Sequence, residues 1–180
     1  QMVDVARQLT LQMTQSVEGL LALAQIGGGG LDLRRLDVGR LVGEAAAALA
    51  DQLDGAATKL RVEPLPEVAG NAAQMRVLFQ NLLANAVRFR DPERSLEIIV
   101  DAVPEEGAWR FRVQDNGSGL GAVDAGAIFE PLVRGGDGVD GGGVGLGLAT
   151  CRRIVQRHGG QIGAYRCDVG TRFEFTWPAR

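Results

Sequence analysis

Cysteine is scarce: Cys151 and Cys167 are the only two in 180 residues. Two are too few for a disulfide framework, and both read as reduced packing residues of a cytoplasmic protein. No apolar run reaches the roughly 18 residues that a membrane-spanning helix needs. Gln1 has no signal peptide behind it, so the chain reads as a fragment of a longer protein. Membrane attachment is then expected only through segments upstream of it. An excess of positive charge is also missing: 19 Lys and Arg stand against 22 Asp and Glu, a net charge of -3, which argues against nucleic acid as a partner. There is no G-x-x-x-x-G-K-[ST], which excludes a Walker-type phosphate loop. A G-x-G-x-x-G can be started at Gly117, but its sixth position is Ala122, so a Rossmann reading is weak.

Glycine is abundant and unevenly placed. Of 26 glycines, 12 lie between residues 115 and 148. That stretch opens with Asp115-Asn116-Gly117-Ser118-Gly119 and closes with Gly143-Val144-Gly145-Leu146-Gly147-Leu148. Glycine loses the most backbone freedom on folding, so it is expected where backbone must approach a ligand or where a loop must move. The stretch reads as a lid, roughly 121–142, between two glycine turns that hold a phosphate-bearing ligand.

Along the chain, Met2, Ala6, Leu9, Met13, Val17, Leu20 and Ala24 step by three or four. This predicts a long helix over 1–26 with a near-heptad seam, and Gly27 to Gly30 form a hinge after it. Residues 31–36 alternate as a short strand, and Asp37 caps a helix over about 38–54. A strand at 59–63 is broken by Pro64 and Pro66. Asn71 caps a helix over about 72–89, with Met75, Leu78, Phe79, Leu82, Leu83 and Ala86 facing the core. Strands are expected at 96–103 and 109–113, joined through Pro104 to Gly107, and the second runs into Asp115. A helix over 146–158 is stopped by Gly159, with His158 in its last turn, where a helix dipole favours positive charge. A hairpin of strands 161–166 and 171–177 closes the sheet.

The helix over 72–89 also carries Asn81, Asn85 and Arg88 at i, i+4 and i+7, in line away from the core. Asparagine is a poor helix-interior residue, so two in line need a reason. An amide oxygen is a neutral ligand for Mg²⁺, which binds through few protein groups and mostly through substrate phosphates.

These residues carry a family likeness. Asn81-Leu82-Leu83-Ala84-Asn85-Ala86 with Arg88-Phe89 resembles the N box of sensor histidine kinases. Asp115-x-Gly117-x-Gly119 resembles their G1 box, Phe129-Glu130-Pro131 their F box, and Gly143-x-Gly145-Leu146-Gly147-Leu148 their G2 box. Gly170-Thr171-x-Phe173 resembles their terminal G-T-x-F. The resemblance covers about 31–178, and residues 1–26 resemble the second helix of the kinase dimerisation hairpin. It implies a Bergerat-type fold: a two-layer α/β (α+β) sandwich with a mixed sheet backed by helices, residues 1–30 standing apart from an ATP-binding domain at 31–180. Asp115 would accept a hydrogen bond from adenine, with Gly117 and Gly119 shaping its turn and Thr171 beside it. Asn85 would hold Mg²⁺, Asn81 and Arg88 would face the phosphates, and Phe89 the nucleotide. Gly143, Gly145, Leu146, Gly147 and Leu148 would bring backbone amides to the triphosphate, and Arg134 would reach it from the lid. Leu132 stands where the family usually has an aromatic residue.

The phosphoacceptor helix of such kinases carries a histidine. The single one here, His158, lies in His158-Gly159-Gly160, which resembles a structural turn of the catalytic domain. The expected activity is therefore transfer of the γ-phosphoryl group of Mg·ATP to a histidine on a helix outside this chain. The expected partners are that helix, a response regulator, and a second copy joined through residues 1–26. An ATP hydrolase of the same fold and a non-catalytic ATP-binding regulator are the alternatives.

Overall fold

The computed structural model describes residues 31–121, 124–131, 133 and 145–179. The expected dimerisation helix, the glycine hinge, Leu132 and most of the expected lid lie outside these residues.

A five-stranded mixed sheet has the order β2-β4-β5-β7-β6, formed by β2 (Lys59–Val62), β4 (Glu97–Glu105), β5 (Ala108–Asp115), β7 (Thr171–Pro178) and β6 (Ile162–Arg166). Only β2 and β4 run parallel. A separate ribbon pairs β1 (Arg34–Asp37) with β3 (Glu67–Gly70). Helices α1 (Val38–Ala47), α2 (Ala50–Gly55), α3 (Ala72–Arg88) and α4 (Gly147–Arg157) complete the described elements, with a short 3₁₀ turn at Ala127–Phe129. Among the described residues, no helix is long and apolar enough to cross a membrane.

The core follows from period. On β7, Phe173, Phe175 and Trp177 alternate inward, and on β5 Phe111 and Val113 do the same. The α3 stripe predicted from spacing, Met75 through Ala86, is buried against them, with Phe79 edge-on to Phe175 at 5.8 Å. Each such side chain contributes about 1.5–3 kcal/mol by leaving water. The opposite face of the sheet carries ion pairs such as Arg112 with Asp101 and Arg110 with Glu174. Pairs at least partly open to water hold little energy, but they keep that face polar.

Both predicted caps form: Asp37 accepts from the Arg40 N–H at 2.9 Å and Asn71 from the Gln74 N–H at 3.0 Å. Three expectations need correction. The helix expected over 38–54 is two helices: the chain leaves the helical conformation at Leu49, with φ of -114° and ψ of 13°, and the second helix buries Leu53. The strand β3 falls where only a proline break was read. The β4–β5 turn is tighter than expected, since Pro104 pairs with Trp109 and Gly107 alone takes a positive φ of 70°. Pro104 is tolerated because β2 pairing ends near Val100 and β4 is an edge beyond it.

His158 departs from the dipole reading. Its Nδ1–H donates to the Ile154 carbonyl at 2.8 Å, and Nε2 accepts the Asn71 N–H at 3.2 Å. The ring stacks on Trp177 at 4.1 Å. These partners select the neutral imidazole, and burial lowers its affinity for a proton.

Candidate nucleotide-binding site

The alternation that buries Phe111 and Val113 also turns Asp115 toward the helices, at the end of β5. It is only 6% exposed. Its Oδ1 accepts from the Gly117 N–H at 2.9 Å and the Thr171 N–H at 3.3 Å. Oδ2 has no hydrogen-bond partner among the described residues. Burial pushes the carboxyl above its ordinary value, and the two backbone donors oppose that. The result is a buried acceptor with one oxygen still available.

The turn after Asp115 is fixed against the end of α3. A Cβ at Gly117 would run into the Phe89 carbonyl oxygen. That oxygen accepts from both the N–H and the hydroxyl of Ser118, at 2.8 and 3.0 Å. Gly119, with φ of 77°, then packs against Gly170.

The polar face of α3 starts at this junction and runs back along the helix. Arg88 lies over the Phe89 ring, 5.1 Å from its centre. Asn85 and Asn81 are half-buried. The Asn81 amide nitrogen donates to the Val77 carbonyl at 3.0 Å, which directs its oxygen toward Gly147. The Asn85 amide has no hydrogen bond among the described residues.

Gly147 opens α4. Gly145, with φ of 74°, leads in, and Leu146, the N-cap residue, supplies no side-chain cap. Thr150 turns its hydroxyl back onto the Leu146 carbonyl at 2.8 Å. The N–H groups of the first turn are therefore left for a ligand or water, and a helix start favours negative charge. Leu146 is buried and Leu148 half-buried.

The α3 polar face thus lies between the Asp115 turn, which it meets at Phe89, and the start of α4, which it meets at Asn81. An acceptor, an amide and a set of backbone N–H groups remain available there, which fits a ligand with a base at one end and phosphates at the other. Arg134 and Gly143 lie outside the described residues. Phe129 anchors its turn edge-on to Phe173 at 6.4 Å, and Glu130 pairs with Arg152 at 2.8 Å. A groove of about 420 Å³ beside that pair is lined by Pro131 and Arg153 among others, and none of the Asp115-turn residues reaches it.

Sequence reasoning did not single out Asn116 or Ser118, which fill the variable positions of the glycine turn. A small hydrogen-bonding side chain inside a turn was the available signal.

Residues 70–180 match the family described as histidine kinase-, DNA gyrase B-, and HSP90-like ATPase. The chain is 36% identical over 175 residues to sensor protein KdpD of Escherichia coli, covering 96% of this chain and 19% of that protein. It is 30% identical over 167 residues to cyanobacterial phytochrome A of Nostoc sp., covering 92% of this chain and 22% of that protein. It therefore spans about a fifth of the length of these relatives. Full-length ShkA, solved in complex with AMPPNP, superposes with a TM-score of 0.76 at 26% identity, over 93% of this chain and 36% of that one.

Proposed function

The chain belongs to the histidine kinase-, DNA gyrase B- and HSP90-like ATPase family, and from that premise we propose that it is the catalytic part of a sensor histidine kinase. It binds Mg·ATP and presents the γ-phosphate to a histidine on a helix outside this chain. The phosphoryl group then passes to a response regulator. The observation that carries this reading is the α3 polar face held between the Asp115 turn and the uncapped start of α4.

Each residue has a role in binding or orientation. Asp115 accepts from the amino group of adenine through Oδ2, while Gly117 and Thr171 hold Oδ1. Phe89 borders the nucleotide, and Arg88 and Asn81 face phosphate oxygens. The first turn of α4, led in by Gly145, receives the triphosphate, with Gly143 of the same glycine motif beside it and Arg134 joining from the lid. Asn85 holds Mg²⁺, which when bound neutralises phosphate charge. Phosphoryl transfer asks mainly for such positioning and charge stabilisation.

Asn81 favours a kinase over a hydrolase. Water needs a general base as it attacks, and an amide whose nitrogen already donates to Val77 has no basic lone pair to offer. A neutral imidazole acceptor has its own free lone pair. Residues 1–30 act as a separate dimerisation segment, so the working unit is a homodimer. A cytoplasmic setting is supported by Cys151 and Cys167, both free. Turnover of ATP by residues 1–180 tests the choice. The expected result is binding with very slow hydrolysis, whereas rapid turnover abolished by Asn85→Ala favours the hydrolase.

A further inference from the structure

Asn116 and Ser118 alternate with the glycines of the Asp115 turn, and each grips a different end of the same connection. That connection runs from the end of α3 to the start of β4. Ser118 holds its beginning, through the two hydrogen bonds to the Phe89 carbonyl. Asn116 holds its end: its Oδ1 accepts the Glu97 N–H at 2.8 Å, its Nδ2 donates to the Ser95 carbonyl at 3.1 Å, and its own N–H donates to the Glu97 carbonyl at 3.2 Å. Neither side chain is directed at Asp115, whose Oδ1 is held by Gly117 and Thr171 instead.

We propose that Asn116 and Ser118 are positioning residues, forming a two-point clamp that sets the distance between the Asp115 carboxylate and the polar face of α3. The inference rests on the nucleotide-site reading above and deepens it. A ligand that engages both ends of the site gains from their being held at a fixed separation, since no binding energy then goes into ordering them. A ligand that engages only Asp115 gains nothing from it. The clamp works through Phe89, because the residue that ends α3 also receives the turn. Side-chain hydrogen bonds are needed at both ends because the turn is rich in glycine, which by itself resists ordering.

The test compares Mg·ATP with adenosine on Ser118→Ala, Ser118→Thr and Asn116→Ala in the 1–180 chain. Removing the serine hydroxyl leaves the Ser118 N–H bond in place, so the fold is retained. The expected weakening for Mg·ATP is about 3- to 10-fold, the effect of one neutral hydrogen bond. Adenosine should change by less than about 2-fold, and Ser118→Thr should restore Mg·ATP binding. Asn116→Ala should have the same pattern with a larger loss. Equal weakening of both ligands, or unchanged Mg·ATP binding, overturns the proposal. A second readout needs no nucleotide. Amide exchange at Gly117 to Gly119 should quicken in Ser118→Ala while β7 is unaffected, and unchanged exchange there overturns the clamp. Failure of the unaltered chain to bind Mg·ATP would count against the nucleotide site itself, while the exchange result still decides the clamp.

Discussion

A methyl group on Gly147 would stand 2.9 Å from the side-chain oxygen of Asn81. The two residues come from different helices, and their contact is where α3 meets the start of α4. The Asn81 amide cannot swing aside without giving up its bond to the Val77 carbonyl.

Gly147→Ala is therefore expected to separate stability from binding. The better helix propensity of alanine and the lost Asn81–Val77 hydrogen bond are each worth about 1 kcal/mol and oppose one another, so the unfolding temperature should change little. The displaced Asn81 amide would no longer face the phosphates, and the loss of one such neutral hydrogen bond should weaken Mg·ATP binding by about 2- to 10-fold. Calorimetry and thermal unfolding on the same variant check this. A loss of stability without a loss of affinity would make the contact one of packing alone.

Asp115→Asn should move the two properties in opposite directions. The amide oxygen can still accept from Gly117 and Thr171, while an NH₂ group replaces Oδ2. Burial raises the carboxyl above its ordinary value, so the ionised group is held at a cost that the amide does not have. Stability at neutral pH should be unchanged or higher. Two donors would then meet at the adenine amino group, and ATP affinity should fall by about 10- to 150-fold, the effect of a hydrogen bond to a charged group. Guanine offers a carbonyl at that position, so preference for ATP over GTP should shrink. Equal affinity of the unaltered protein for ATP and GTP would remove Asp115 from the adenine role.

The parts of the fold legible in the sequence are those set by local period. The α3 stripe and its Asn71 cap, the strand alternation into Asp115, and the stop at Gly159 each depend on residues within a few positions. What was not legible depends on distant partners. The strand β3 has four residues beside two prolines, and its pairing comes from Arg34–Asp37. The break between α1 and α2 arises in an alanine-rich run with no polar signal. Asn81 and Asn85 were visible because asparagine is unusual inside a helix, and Asp115 through the resemblance of its glycine turn to the G1 box. Asn116 and Ser118 were not, because their partners Ser95, Glu97 and Phe89 belong to another connection.

His158 gives the clearest pH dependence, because it is the only histidine in the chain. Burial is the main cause of its lowered proton affinity, the Ile154 carbonyl opposes it, and Arg157 adds to it. The unfolded chain thus takes up the proton first. Stability from this residue is full above its ordinary value of 6.5 and declines as pH falls below it. His158→Phe should flatten the decline between pH 7 and 5.5 in urea denaturation. It should also lower stability at pH 8 by about 1–3 kcal/mol, because the Asn71 N–H loses its acceptor. A decline that persists in the variant would belong to carboxylates instead.

Residues 1–26 are expected to drive self-association, since a seam of Met2, Leu9, Met13 and Leu20 would leave an apolar strip exposed on a monomer. Sedimentation of residues 1–180 against residues 31–180 tests this. Association should appear only in the longer chain, and two monomers at high concentration would exclude it.

The most direct test of the kinase reading is phosphoryl transfer to a separately supplied helical hairpin that carries an acceptor histidine. With γ-labelled ATP and Mg²⁺, residues 1–180 should label the hairpin with acid-labile, base-stable phosphate. The chain itself should stay unlabelled, and Asn85→Ala should abolish transfer. Label on His158, or ATP consumed rapidly with none reaching the hairpin, would contradict the account.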